Sequence, residues 1–348
     1  MESAKIFEFS RIDVGLREDS SYKSLLKESS SARQIANIQG DTDIAGYACI
    51  GISESHRRLG DISNAALEQN NAIKHFTETH NVTGLAWAYW NGANIARQQG
   101  DYRKSIVKLK QAIHYSRQSG EFNCYNYSLA GLAEATRILG DYELSYKQHL
   151  YAYDVFLKNK DYRGIVWAYE GLAQICKNMG KIGQAVSLFG VAVRLARAIS
   201  DWRGLGYALK CFGECTAKQG NLIDGLKYLK EGERLFCAIQ HKTGLGYTLK
   251  STADTYRDCF LLEEAAAYYD KAESVFRSIG EKRGLAYVHA GRGDLALKNG
   301  IAEIAYSYFA SSRAVFKNQS IKFGLALIKR SLERQKKDGR ELLYMLFF

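Results

Sequence analysis

The stretch "RGLGYALKCFGECTAKQGNLIDGLKYLKEGERLFCAIQ" (203–240) is followed, after one histidine, by "KTGLGYTLKSTADTYRDCFLLEEAAAYYDKAESVFRSIG" (242–280). The two read as the same segment in different residues. A fixed period of this kind marks a repeat array, in which each unit buries its apolar face on its neighbours. Carried along the chain, the forty-residue period places Gly60, Gly100, Gly140, Gly180, Gly220 and Gly300 in one column, with Phe260 alone out of step. A second column holds Gly84, Gly164, Gly204, Gly244, Gly284 and Gly324, with Ile44 and Cys124 as exceptions. The two columns divide each unit into a shorter and a longer segment, each one helix long. A glycine recurring in the second column requires either a positive φ or a close helix contact.

The chain has 348 residues and no proline, where an ordinary protein holds about 5%. Proline breaks helix interiors, so its absence fits an almost wholly helical chain. The spacing predicts a first helix over 44–59 and a second over 62–79, repeating with the period. "GDY" at 100–102 and 140–142 marks the turn between them, glycine ending one helix and aspartate capping the next. Seven such pairs fill 41–320. Residues 1–40 form a capping segment with a helix like the second of each pair, and 321–348 a helix like the first, with a turn at Gly339 and an apolar tip. Small residues recur at Ala65, Ser105, Ser145, Ala185, Gly225, Ala265 and Ala305, and seven residues on at Ala72, Ala112, Ala152, Ala192, Gly232, Ala272 and Ser312. The first helix carries its own column at Ser53, Ala93, Ala133, Ala173, Gly213, Ala253 and Gly293. Such columns let helix backbones approach closely.

Small residues in both helices with a "GDY"-type turn between them resemble the tetratricopeptide repeat. The forty-residue form is similar to the Leu-Gly-Asn repeat adaptors of spindle orientation and to the helical sensor domains of bacterial regulators. The resemblance implies an all-α fold, a right-handed superhelical α-solenoid of helix-turn-helix repeats whose concave groove binds a partner. The chain lacks the proline that often closes the second helix of such units, and it carries the asparagine after the Leu-Gly pair only as Asn94.

On a helical wheel the positions of Tyr47, Ile50, Glu54 and Arg57 lie in line on the arc that packing leaves free. The first position is aromatic in every unit: Tyr47, Trp87, Tyr127, Trp167, Tyr207, Tyr247, Tyr287. The aromatic column is either mutual stacking in the core or a row of groove anchors. The last position is mostly basic, and Glu54 with Arg57 or Glu134 with Arg137 reads equally as an i, i+3 ladder. Asn94 and Gln174 cannot neutralise Arg97 and Lys177, so positive charge is least compensated in units two to four. The predicted partner-binding residues are Trp87, Trp90, Asn94, Arg97, Tyr127, Arg137, Trp167, Gln174, Lys177, Lys210 and Lys250, tryptophan and arginine being the types richest in binding hot spots. A segment with an apolar anchor and flanking carboxylates suits this groove.

The net charge of +11 permits contact with nucleic acid, a membrane surface or an acidic protein and selects none. Single-stranded nucleic acid stacked on Tyr and Trp is the second class of partner, but the acidic column at 54, 134, 214, 254 and 294 repels phosphates. No Walker, HExxH or GxSxG motif occurs, so the expectation is a non-catalytic scaffold without cofactor or metal; a ligand- or peptide-responsive sensor is the alternative, and an active site without a motif the last. Seven scattered cysteines form no CxxC pair. Cys211, Cys215 and Cys237 fall in one unit, as packing residues or as three thiols around a metal. No apolar run spans a bilayer, the start lacks a secretory pattern, and a cytoplasmic location is expected. The apolar tip either ends a truncated array, folds back as a cap, or joins two copies into a homo-oligomer.

Overall fold

The computed structural model describes the backbone of residues 21–347 and the side chains up to residue 335. Among the described residues there are sixteen α-helices and no strand. The first helices of the forty-residue units are α2 (Thr42–Leu59), α4 (Val82–Gln99), α6 (Phe122–Leu139), α8 (Tyr162–Asn178), α10 (Trp202–Lys218), α12 (Lys242–Asp258) and α14 (Lys282–Lys298). The second helices are α3 (Ile62–Glu78), α5 (Tyr102–Ser119), α7 (Tyr142–Lys158), α9 (Ile182–Ala198), α11 (Leu222–Ala238), α13 (Leu262–Ser278) and α15 (Ala302–Asn318). Helix α1 (Tyr22–Gln39) precedes them and α16 (Lys322–Phe347) follows. Each helix packs on the next in sequence, and each first helix also touches the first helix of the following unit. The chain is an all-α solenoid.

The punctuation falls every twenty residues, so the two helices of a unit are equal in length rather than one short and one long. Each turn holds one residue in the left-handed region, such as Gly60 (φ 97°), Gly100 (φ 84°) and Gly140 (φ 90°). In most turns the side chain of the next residue caps the following helix, with Lys181, Leu261 and Ile301 as exceptions: Asp101 accepts the Lys104 N–H at 2.9 Å and Asp141 that of Leu144 at 3.1 Å. Such a cap contributes about 1 kcal/mol. Phe260, out of step in sequence, keeps the same geometry (φ 61°), at a cost of about 1 kcal/mol for a side chain in that region. Its ring is exposed beneath the Lys298 ammonium, 3.5 Å away. Phe260→Gly is therefore expected to raise stability by about 0.5–1 kcal/mol in chemical denaturation. A loss would show that the Lys298 contact outweighs the strain.

The second glycine column is not a boundary, since Gly84 and Gly164 lie inside α4 and α8 at ordinary helical angles. A Cβ on Gly84 would stand 2.2 Å from the Phe76 ring, and one on Gly164 2.0 Å from the Phe156 ring. Gly244, Gly284 and Gly324 face Phe236, Phe276 and Phe316 in the same way, and all five rings are fully buried. Close contact, not positive φ, explains the column.

The superhelix closes on itself. Helix α2 touches α12 and α6 touches α16, joining residues about five units apart. Arg58 Nη1 lies 2.7 Å from His241 Nε2, Gln98 Nε2 donates to Thr243 Oγ1 at 3.4 Å, and Arg283 Nη1 donates to the Tyr102 hydroxyl at 3.1 Å. Apolar contact reinforces the seam, with Tyr22 and Leu25 of α1 packed on Phe236 and Ile239. The expected turn at Gly339 does not occur, because α16 runs unbroken to Phe347. The first half of the N-terminal capping segment and the side chains of the apolar tip lie outside the described residues.

Candidate functional site

Because first helices line the inside of the solenoid, one row of each faces its axis. In α10 that row is Arg203, Tyr207, Lys210 and Glu214, spaced four, three and four; α8, α12 and α14 contribute all four equivalent positions, and α2, α4 and α6 only some of them. Closure of the superhelix turns the groove into a cavity of about 520 Å³, walled by residues from Tyr22 to Ser331.

Of the eleven predicted residues, Trp90, Asn94, Arg97, Tyr127, Arg137, Trp167, Gln174, Lys177, Lys210 and Lys250 line this cavity. Trp87 does not. It is fully buried in the core with Tyr47, Phe76 and Ala112, its ring 5.5 Å from that of Trp90 in an edge-to-face arrangement. Packing against α3 and α5 consumes the whole indole, so the wall belongs to Trp90 one turn later. From there an aromatic path continues to Tyr127 (centroids 6.4 Å apart) and from Tyr127 to Trp167 (5.9 Å, near-parallel). The aromatic column is thus core at one end and wall in the middle. The Trp90 indole N–H is buried without a hydrogen-bond partner among the described residues.

The charges are mostly spent on each other. Arg137 holds Glu134 bidentately at 2.6 and 2.8 Å; burial works against that carboxylate, but Arg137 outweighs it and brings its pKa down to about 2. Lys177 is not left uncompensated by Gln174, because Glu214 on the next first helix lies 3.1 Å away. Lys250 pairs with Asp254, which also accepts from Arg257 and Tyr269. Glu54 sits between Arg57 and Arg58 at 2.5 and 2.6 Å. Arg97, by contrast, bonds only the amide oxygen of Asn94 among the described residues, at 3.2 Å.

Sequence reasoning missed Arg163, Arg203 and Arg283, which stand four residues before the aromatic column and line the same wall. The signal was present: one more turn back along the same row carries arginine in three of the seven units. It also missed Glu170, whose Oε1 is buried without a partner. Burial, and after it the nearby Asp201 carboxylate, pushes Glu170 well above the usual carboxylate range. Cys211 and Cys215 are core residues, Cys237 is exposed, and among the described residues no group of His, Cys, Asp and Glu is arranged to hold a metal ion. No described helix is long and apolar enough to cross a membrane.

The sequence profile of the family of anaphase-promoting complex subunit 5 matches residues 89–148 and 139–218. Among curated proteins, none matches the chain by sequence. Several solved structures share its architecture. A Rap protein complexed with competence and sporulation factor superposes with a TM-score of 0.63 at 15% identity, over 98% of this chain and 99% of that one. A Rap conjugation gene regulator of a plasmid, in complex with a Phr peptide, gives 0.62 at 12% identity over 81% and 78%. Aspartyl phosphate phosphatase F from Bacillus subtilis gives 0.55 at 12% identity over 99% and 92%. With its two-helix units, small-residue columns and capped glycine turns, the chain is a tetratricopeptide-like helical repeat protein.

Proposed function

We propose that this protein is a non-catalytic binding module that takes an extended peptide segment of a partner into the enclosed groove. The observation that carries the reading is the Trp90–Tyr127–Trp167 path along the inner wall of the closed superhelix, an aromatic row on which apolar side chains of a peptide can pack. A solved structure of the same architecture is in complex with a peptide, which is in keeping with it. An open concave surface suits a passive scaffold. A groove bridged by its own seam favours the sensor form of the same reading, in which occupancy and the Arg58–His241 and Tyr102–Arg283 contacts bias one another. Trp90→Ala tests it in a peptide pull-down read by mass spectrometry. Retained peptides should fall at least tenfold against wild type while helicity is unchanged, as expected for a buried aromatic hot spot. Equal retention by both proteins would move the binding surface out of the groove. Small-angle scattering with a retained peptide should show a change in dimensions for a sensor and none for a rigid scaffold.

A further inference from the structure

Most carboxylates of the cavity wall are already committed to partners. Asp201 caps α10 through the Gly204 N–H (3.1 Å) and pairs with Arg163 at 3.0 Å. Glu214 takes Lys177 and Lys218, at 3.1 and 3.4 Å. Glu134, Glu54 and Asp254 hold the arginines and lysine described above, and Glu281 accepts from Gly284 N–H and the Tyr247 hydroxyl, both at 3.4 Å. Four cations of the wall are left over among the described residues; one of them, Arg330 on α16, is bonded to the Ala326 carbonyl and lies over the Phe323 ring, apart from the other three. Arg97, Arg203 and Lys210 have no carboxylate within 4.0 Å among the described residues; Lys210 has only the face of Tyr247, 5.9 Å away. Glu170 does not fill the deficit. It makes no ion pair, and burial drives it toward the neutral acid beside both α10 cations.

Arg203 and Lys210 lie two turns apart on one row of α10, about 10 Å along the axis, with Tyr207 between them. Their side chains are long enough to converge over that ring, whose hydroxyl is held 3.3 Å from His241 Nε2. Arg97 comes from α4 and lines the same cavity. We infer that this trio is an anion site: a carboxylate of the bound segment docks between Arg203 and Lys210 over Tyr207, with Arg97 as the third cation. The inference rests on the groove being the ligand site and adds to it the chemistry of one ligand group. A half-buried guanidinium and ammonium without counter-ions are costly in the empty protein, and a carboxylate recovers that cost through charge-assisted hydrogen bonds. The carboxylate comes from the C-terminus of a short peptide or from an Asp or Glu side chain.

The test uses the whole chain and two pools of random-sequence, N-acetylated hexapeptides, one with free C-terminal acid and one amidated, with retained peptides identified by mass spectrometry. Wild type is expected to enrich the free-acid pool if the terminus docks, or Asp- and Glu-containing members of both pools if a side chain does. The Arg203→Gln/Lys210→Met double variant should lose that enrichment by about tenfold or more, as expected for two charged hydrogen bonds. The charge-preserving pair Arg203→Lys/Lys210→Arg should keep most of it. If the double variant fails to fold, the charge-preserving pair and the salt dependence of wild-type retention decide: enrichment unaffected between 50 and 500 mM salt overturns the anion site. Peptides retained equally by wild type and double variant, without acidic bias, overturn the anion site and leave the groove reading standing. Retention of no peptide by wild type overturns the groove reading and the anion site with it.

Discussion

Glu54→Ala is expected to lower the free energy of unfolding by about 3–5 kcal/mol, the range for removing one member of a buried ion pair. Glu54, Arg57 and Arg58 are 5%, 3% and 8% exposed, and the single carboxylate holds both guanidiniums. Its loss strands two buried positive charges side by side. Burial opposes the charge on Glu54, but Arg57 and Arg58 outweigh it and hold the carboxyl far below its ordinary range. The sign follows: the stabilisation is complete above the unfolded carboxylate value, about pH 4.3, and fades as pH falls through the lower folded value. The same triad supports the seam through the Arg58–His241 contact, so the variant should also expand in small-angle scattering. Denaturation of Glu143→Ala supplies the comparison, since the Glu143–Lys147 pair is exposed and contributes little. A similarly small loss at Glu54 would mean that water enters the triad and that the seam does not depend on it.

That triad also marks the limit of what the sequence could reveal. The Glu54–Arg57 pairing follows from helical spacing, as does Glu134–Arg137, because both are local. Lys177 with Glu214 is a pairing between neighbouring first helices, 37 residues apart, and a wheel drawn for one helix cannot show it. Arg58 with His241 is farther from view, 183 residues apart, since it exists only because the superhelix closes after about five units. Closure depends on the small rotation between units, and that rotation sums many packing contacts with no single residue to read. The repeat period, the inward row and ten of the eleven groove positions were legible because they depend only on periodicity. Trp87 was misplaced because its column turns from core to wall along the array, and whether an aromatic residue is covered depends on the size of its neighbours in α3 and α5.

The pairing of phenylalanine with glycine between successive helices should give the other large effect. In α7 and α8, Phe156 fills the space where a Cβ on Gly164 would lie, 2.0 Å from the ring. Phe156→Ser alone is expected to cost about 3–5 kcal/mol, because a fully buried ring leaves a cavity. Gly164→Cys alone should cost about 3 kcal/mol, because the ring has no free volume into which to retreat. The double variant should cost at least about 1–2 kcal/mol less than the sum, as a cycle between touching residues allows. The chain itself contains that combination. One unit earlier, at the equivalent positions, Ser116 stands where phenylalanine would be and Cys124 replaces glycine, and both are buried. Cys124, one of the two exceptions in the glycine column, is therefore not a lapse in the repeat but a change on both sides of one contact. Strict additivity in the cycle, measured by urea denaturation with circular dichroism, would mean that ring and glycine do not set each other's limits, and that some other constraint keeps glycine at 84, 164, 244, 284 and 324.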